Sequence, residues 1–319
     1  MRVLSAADVR VAITMHDAIA AVRDGFIALS RGEAQVPVRS SLPIAGGVLL
    51  TMPAALGAIG SVKVVSVCGH NPALGLPAVN AAVLVVDAET GRAQALIEGR
   101  LLTALRTGAA SGLATDLLAR PEAEVLGVIG AGPQALAQVE AICAVRPIRE
   151  IRVYSRSGAQ AFAHAVGQLH HLEAWAASSA SEALAGADII VAATNSPTPV
   201  VRGDDVQPGA HVNGIGSFTP QMQEVAADLI LKAKVIVDHR ASAWEEAGDL
   251  IIPRDQGLFD ETIVHAEIGE VAVGDRPGRE SSDEITFFKS VGNAVQDAAV
   301  AARILAAAEA LDLGVEIHW

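Results

Sequence analysis

EVLGVIGAGPQALAQVEAIC, residues 124–143, is the stretch on which the fold turns. Val125–Ile129 is a short apolar run of the kind that forms a strand buried on both faces. Gly130, Gly132 and Ala135 follow as G-x-G-x-x-A, and PQALAQVEAIC then reads as a helix. Each position has a physical reason. Gly130 allows the tight turn, Gly132 lets the backbone approach a pyrophosphate, and Ala135 lets the helix close on the sheet. The N–H groups at the helix start have no partner within the helix and face the anion. A glycine triplet alone is a weak signal, but strand, turn and helix in that order mark a dinucleotide-binding turn.

The alternation continues downstream. IREIRVYS, DIIVAAT, HVNGIG and VIVD have the character of strands, with AQAFAHAVGQL and SEALAGA as helices among them. That pattern implies βαβ units and a parallel sheet. Upstream the pattern differs. TMHDAIAAVRDGFIALSRG reads as a helix with Thr14 as N-cap and Asp17 three residues on. Its apolar stripe is Ile19, Val22, Phe26 and Leu29, and Gly32 stops it. GVLLTM, GSVKVVSVC and AVNAAVLVVD predict an antiparallel sheet crossed by that helix. Arg100–Pro121 is a long helix ending before its proline, and the Ala-rich helix in SVGNAVQDAAVAARILAAAEAL has no strand after it. That last helix is expected to pack back on the first part. The fold class is therefore α/β: a Rossmann-type dinucleotide-binding domain over 119–292 and an α+β domain over 1–118 and 293–319.

Composition narrows the function. The chain has 319 residues and a formal charge of −13, which argues against nucleic acid or an anionic membrane as partner. No run of 18 apolar residues appears, and MRVLSAADVR meets charge too early for a signal peptide. Cys68 and Cys143 lack metal-ligand spacing and read as reduced core thiols of a cytoplasmic protein. His70, His211, His239 and His265 are scattered, and no H-E-x-x-H or Ser-His-Asp order is present. No metal is expected.

Two groups of residues carry chemistry. After the second strand of the parallel domain an NAD-binding protein usually has an acid for the ribose 2′-hydroxyl; this chain has Ser155, Arg156 and Ser157. A guanidinium between hydroxyls suits a 2′-phosphate, so NADPH is the expected cofactor, with NADH weaker. The second group is cationic. Lys63 lies among valines, so it is either a buried ammonium that requires a partner or a solvent-facing side chain of an alternating strand. Arg39 precedes a strand, and Arg106 lies on an otherwise apolar helix face. Together such cations suit a small carboxylate.

PVR at Pro37–Arg39, MP at Met52–Pro53, Lys63 in VKVV, TALRTGAAS at Thr103–Ser111, GAGPQA, TNSPTP at Thr194–Pro199 and EITFFKSVGNAVQD resemble the ornithine cyclodeaminase/mu-crystallin family, in order and over nearly the whole chain. QMQE, GLFDETIVHAEIGE, GRESSDEI and the SFTP loop are most similar to bacterial members assigned as Δ1-pyrroline-2-carboxylate reductases. The resemblance implies a homodimer whose first domain binds substrate and makes the interface. It implies that Arg39, Lys63 and Arg106, with Met52, bind substrate beside the nicotinamide. Gly130, Ala131, Gly132, Pro133 and Gln134 would hold the pyrophosphate, Ser155, Arg156 and Ser157 the 2′-phosphate, and Thr194 and Asn195 the ribose region. Arg106, Thr107 and Gly216 would also meet cofactor, with Val291 and Gly292 near the nicotinamide.

Two positions depart from the cyclodeaminase pattern: Leu50 stands where an acid grips the substrate amine, and Phe218 where an Asp acts on amine and water. A neutral ring cannot take that proton. The expected activity is therefore reduction of a cyclic imine with a carboxylate, Δ1-pyrroline-2-carboxylate to L-proline or Δ1-piperideine-2-carboxylate to L-pipecolate, with Lys63 or an ordered water as proton donor. An alanine dehydrogenase-like activity comes next, then ornithine cyclodeamination, and last a non-enzymatic protein that binds NADPH and a small ligand. Phe218 is expected either to face the substrate or to turn into the core.

Overall fold

The computed structural model describes residues 1–318. The chain forms two compact units, one of residues 1–106 with the segment from Asn293 onward, the other of Thr107–Gly292. It begins with β1 (Arg2–Leu4), α1 (Ala6–Ala12) and α2 (Met15–Ser30). β2 (Ala34–Gln35), β3 (Ser40–Ile44), β4 (Gly47–Leu56), β5 (Ile59–Val67), β6 (Val79–Asp87) and β7 (Ala93–Glu98) follow, and α3 (Gly99–Leu118) leads out. The second unit holds β8 (Val125–Ile129), α4 (Pro133–Val145), β9 (Glu150–Tyr154), α5 (Ala159–His170), β10 (Glu173–Ala176), α6 (Ala180–Leu184), β11 (Ile189–Ala192) and β12 (His211–Gly214). It continues with α7 (Ala227–Lys232), β13 (Ala233–Val237), α8 (Arg240–Glu246), α9 (Gly248–Asp255), β14 (Val264–Glu267), α10 (Ile268–Val273) and β15 (Ile285–Lys289). The chain returns through α11 (Ala294–Ala310) and ends with β16 (Val315–Glu316).

In the first unit the strands run β16-β1-β7-β6-β5-β4-β2, with β3 also paired to β4. All pairings are antiparallel except β1 with β7. α11 crosses β4, β5 and β6 and packs on α2. The two helices come close because Gly25 has no side chain: a Cβ there would lie 3.1 Å from that of Ala299. α2 starts with the reciprocal Thr14–Asp17 cap expected from the sequence.

The second unit is a parallel sheet ordered β10-β9-β8-β11-β12-β15-β13-β14. Its first five strands have the Rossmann order, which reverses between β8 and β11. Because the strands are parallel, the loops after β8, β9, β11, β12 and β15 all leave from the carboxyl edge, where such sheets bind ligands. The expected change of unit after residue 118 differs from the observed one: packing changes at Arg106–Thr107, inside α3. The sequence marks where a helix ends, whereas one helix can pack its two ends into different bodies.

Candidate active site

β5 alternates cleanly. Val62 and Val64 are 36% and 40% exposed, whereas Ser61, Lys63 and Val65 are buried. Lys63 is therefore the buried ammonium of the two alternatives, at 1% exposure, paired in register with Met52 of β4 and Val83 of β6. Its partner is Asp297 in the first turn of α11, 2.9 Å and 2.7 Å from Nζ through its two oxygens. Arg106 of α3 lies 3.1 Å from Asp297 through Nε and donates to Gln296 Oε1 at 2.6 Å. Gln296 is held in turn by the backbone N–H of Asn293, which caps α11.

One carboxylate thus serves two buried cations, and the charge of half-buried Arg39 reaches the same place. Burial, then repulsion from Arg106, lowers the Lys63 pKa to about 7, against the pull of Asp297; Arg39 lowers it further. The surroundings are apolar: Met52 and Val65 are buried, with Leu50, Val79 and Ala81 packed beside them.

In the second unit, the turn after β8 behaves as its glycines require. Gly130 has φ 116, and a Cβ there would lie 2.4 Å from the carbonyl oxygen of Ala193. Gly132 is the N-cap of α4, with no side-chain cap, and a Cβ there would meet nothing within 4 Å. Open space above uncapped N–H groups is what a pyrophosphate needs. Gln134 at this helix start has a buried side-chain oxygen without a hydrogen-bond partner. Ser155, Arg156 and Ser157 follow β9, with Arg156 and Ser157 exposed and no acid among them. These residues fit a nicotinamide dinucleotide.

Of the remaining expected cofactor contacts, Arg106 and Thr107 lie on α3 and the others on loops tied down by carboxylates. The Asp238 carboxylate accepts from Ser290 Oγ at 2.7 Å and from the N–H of Val291 and Gly292 at 3.0 and 2.8 Å. Buried Glu224 accepts from the N–H of Thr194, Gly216 and Ser217. The space beside Gly216 is taken up by its neighbours: a Cβ there would lie 2.0 Å from the Thr194 carbonyl oxygen and 2.5 Å from both Glu224 oxygens. Phe218 is half-buried and packs against the core of this unit.

Sequence reading missed Asp297, Gln296, Asp238, Glu224, Asp249 and Lys289. Asp297 in a helix's first turn looks like an exposed acid complementing the helix dipole. Only the buried cations of distant segments reveal its role. Among the described residues no group of His, Cys, Asp and Glu is placed to hold a metal ion, and no helix is long and apolar enough to cross a membrane.

A family model described as ornithine cyclodeaminase/mu-crystallin matches residues 1–310. The chain belongs to that family. Within the family, it is 41% identical to a Delta(1)-pyrroline-2-carboxylate reductase of Bacillus cereus, across 100% of both chains. A solved Delta(1)-pyrroline-2-carboxylate reductase of Thermococcus litoralis, in complex with NADH and L-proline, has a TM-score of 0.97 and 38% identity, covering 99% of this chain and 100% of that one. An archaeal alanine dehydrogenase, a dimer with bound NAD, has a TM-score of 0.94 and 36% identity, covering 100% of this chain and 99% of that one.

Proposed function

We propose that this chain reduces Δ1-pyrroline-2-carboxylate to L-proline, and the ring one methylene larger to L-pipecolate, using NADPH in preference to NADH. The observation that carries the reading is the buried Lys63–Arg106–Asp297 cluster, two cations against one anion in an apolar setting. A substrate carboxylate supplies the missing negative charge, and Arg39 adds to the attraction. Leu50, Met52 and Val65 offer the rest of the substrate apolar surface and no second charge. A small carboxylated ring fits that description better than a diamino acid, whose second ammonium would lie unpaired. The named function of the Bacillus and Thermococcus relatives supports the same substrate.

The nicotinamide nucleotide, when bound, supplies the hydride. The chain itself positions and protonates. Arg106 and Arg39 hold the carboxylate, and Lys63 donates the proton that the imine nitrogen needs. The Gly130–Gln134 turn holds the pyrophosphate, and Arg156, between Ser155 and Ser157, pairs with a 2′-phosphate. Thr194 and Asn195 take the ribose region. We place this enzyme in the cytoplasm, as a homodimer.

The test is a panel of cyclic and linear imines with both nucleotides. The cyclic imine carboxylates should exceed pyruvate with ammonia by orders of magnitude in kcat/KM. Equal rates would sink the cyclic-imine reading and favour the alanine dehydrogenase activity of the archaeal relative.

A further inference from the structure

We propose that Glu224 is a positioning residue that sets the two nucleotide-facing loops after β11 and β12 by acting as a shared anion for their backbone N–H groups. The inference rests on the reading that the second unit binds a nicotinamide nucleotide.

β11 and β12 are neighbouring parallel strands, so their loops emerge side by side. N–H groups beyond a strand end ordinarily turn to water or ligand. Here three of them, from two loops, converge on one side chain. Oε1 of Glu224 takes the N–H of Thr194 at 2.5 Å, while Oε2 takes those of Gly216 and Ser217 at 2.5 and 2.9 Å. The missing side chain of Gly216 makes room for both the Thr194 carbonyl and this carboxylate.

Glu224 is itself anchored. Its backbone N–H and that of Val225 donate to Asp249 Oδ1 at 2.6 and 3.0 Å, and its carbonyl accepts from Val200 and Val201. Asp249 Oδ2 meets Lys289 Nζ of β15 at 2.8 Å. All three charged side chains are completely buried. A buried ionic network of this kind is costly to assemble and adds little to stability beyond what an apolar core would give. It does fix geometry: two loops can move apart only by leaving N–H groups without an acceptor.

The titration of Glu224 separates positioning from simple support. The charged groups facing it are Lys289 from β15 and Asp249 from α9. Burial raises its pKa to about 7; Lys289 pulls it down, and Asp249 pushes it up. Below that pH one oxygen carries a proton and is a poorer acceptor for the loop N–H groups. Nucleotide affinity therefore rises with pH through neutrality. The stability contribution has the opposite sign. Between the ordinary carboxyl pKa of 4.5 and about 7 the folded chain holds more proton than the unfolded one, so this contribution falls as pH rises.

Two measurements decide. Hydrogen exchange on the nucleotide-free protein should show the amides of Thr194, Gly216 and Ser217 protected, and Glu224→Gln should speed them about tenfold while β8 stays unchanged. Titration calorimetry with NADH, whose phosphates stay ionised over this range, should show affinity weakening severalfold from pH 8 to pH 6. In Glu224→Gln affinity should be about tenfold weaker at pH 8 and flat with pH. Unchanged protection, or a variant that binds as tightly as wild type, overturns the proposal. If Glu224→Gln does not fold, the wild-type series decides, and a flat one refutes the assignment. Wild-type protein that binds neither NADH nor NADPH at either pH would instead sink the functional reading, with exchange still deciding whether Glu224 anchors the loops.

Discussion

Lys63 has almost no access to water, and its pKa of about 7 comes from burial and neighbouring guanidiniums, opposed by Asp297. As proton donor it works only when charged, so kcat/KM should fall as pH rises through about 7. The kcat limb should lie higher, since a bound carboxylate adds negative charge beside the ammonium. Lys63→Met should remove the limb, which distinguishes it from titration of the substrate. Asp297→Asn removes the group that holds the pKa up, so the limb should move to lower pH. Steady-state rates between pH 5.5 and 9 check all three. At the other site, Arg156→Ala should weaken NADPH by about tenfold or more and NADH little, read by titration of each nucleotide; equal weakening refutes the 2′-phosphate assignment. Lys63 and Arg106 were legible because a charge among valines or on an apolar helix face breaks a pattern. Asp297 breaks none, and neither does Glu224, whose QMQE setting reads as exposed loop.

Among the elements, the turn from β8 into α4 offers a paired test of what each glycine does. Gly130→Ala forces a side chain into φ 116 and against the Ala193 carbonyl. It should cost roughly 1–3 kcal/mol or more and lower the melting temperature. Gly132 has an ordinary φ of −94 and open space beside it. Gly132→Ala should melt like wild type yet bind nucleotide at least about tenfold more weakly, because the methyl occupies the room left for the anion. Melting curves alongside nucleotide titrations separate the two. This turn was legible because its physics is local. β15 was not: ITFFK is completely buried, yet it ends in a lysine whose partner, Asp249, lies on α9. β10 and β14 are short and carry polar residues, so neither stood out.

For the whole molecule, the outer face of the first unit's sheet bears on assembly. Register puts Leu42 of β3 on one face with Leu49 of β4, and Thr51 of β4 with Val64 of β5. Leu42, Val62 and Val64 are exposed there, an apolar strip facing away from α11. Such a strip suits a second copy of the chain. Val64→Glu should convert the proposed dimer to monomer in sedimentation experiments while leaving nucleotide binding by the second unit intact. A dimer that survives the substitution would move the interface elsewhere. Two-domain organisation followed from one glycine motif and a change of strand pattern, but the change of unit inside α3 did not. It depends on which neighbours a continuous helix finds, and no residue type announces that.

The cluster of two cations on Asp297 has a kinetic consequence. If its ligand is the carboxylate of an imino acid, that carboxylate passes through the reaction unaltered. The hold of Arg106 and Arg39 is then equally strong on reactant, activated complex and product, so it sets how little imine saturates the enzyme and does not speed the hydride step, while Lys63 loosens once its proton is gone. It must also be broken each time L-proline departs. Tightening it would slow turnover by retaining product, and small carboxylate anions such as acetate should compete for the same charges.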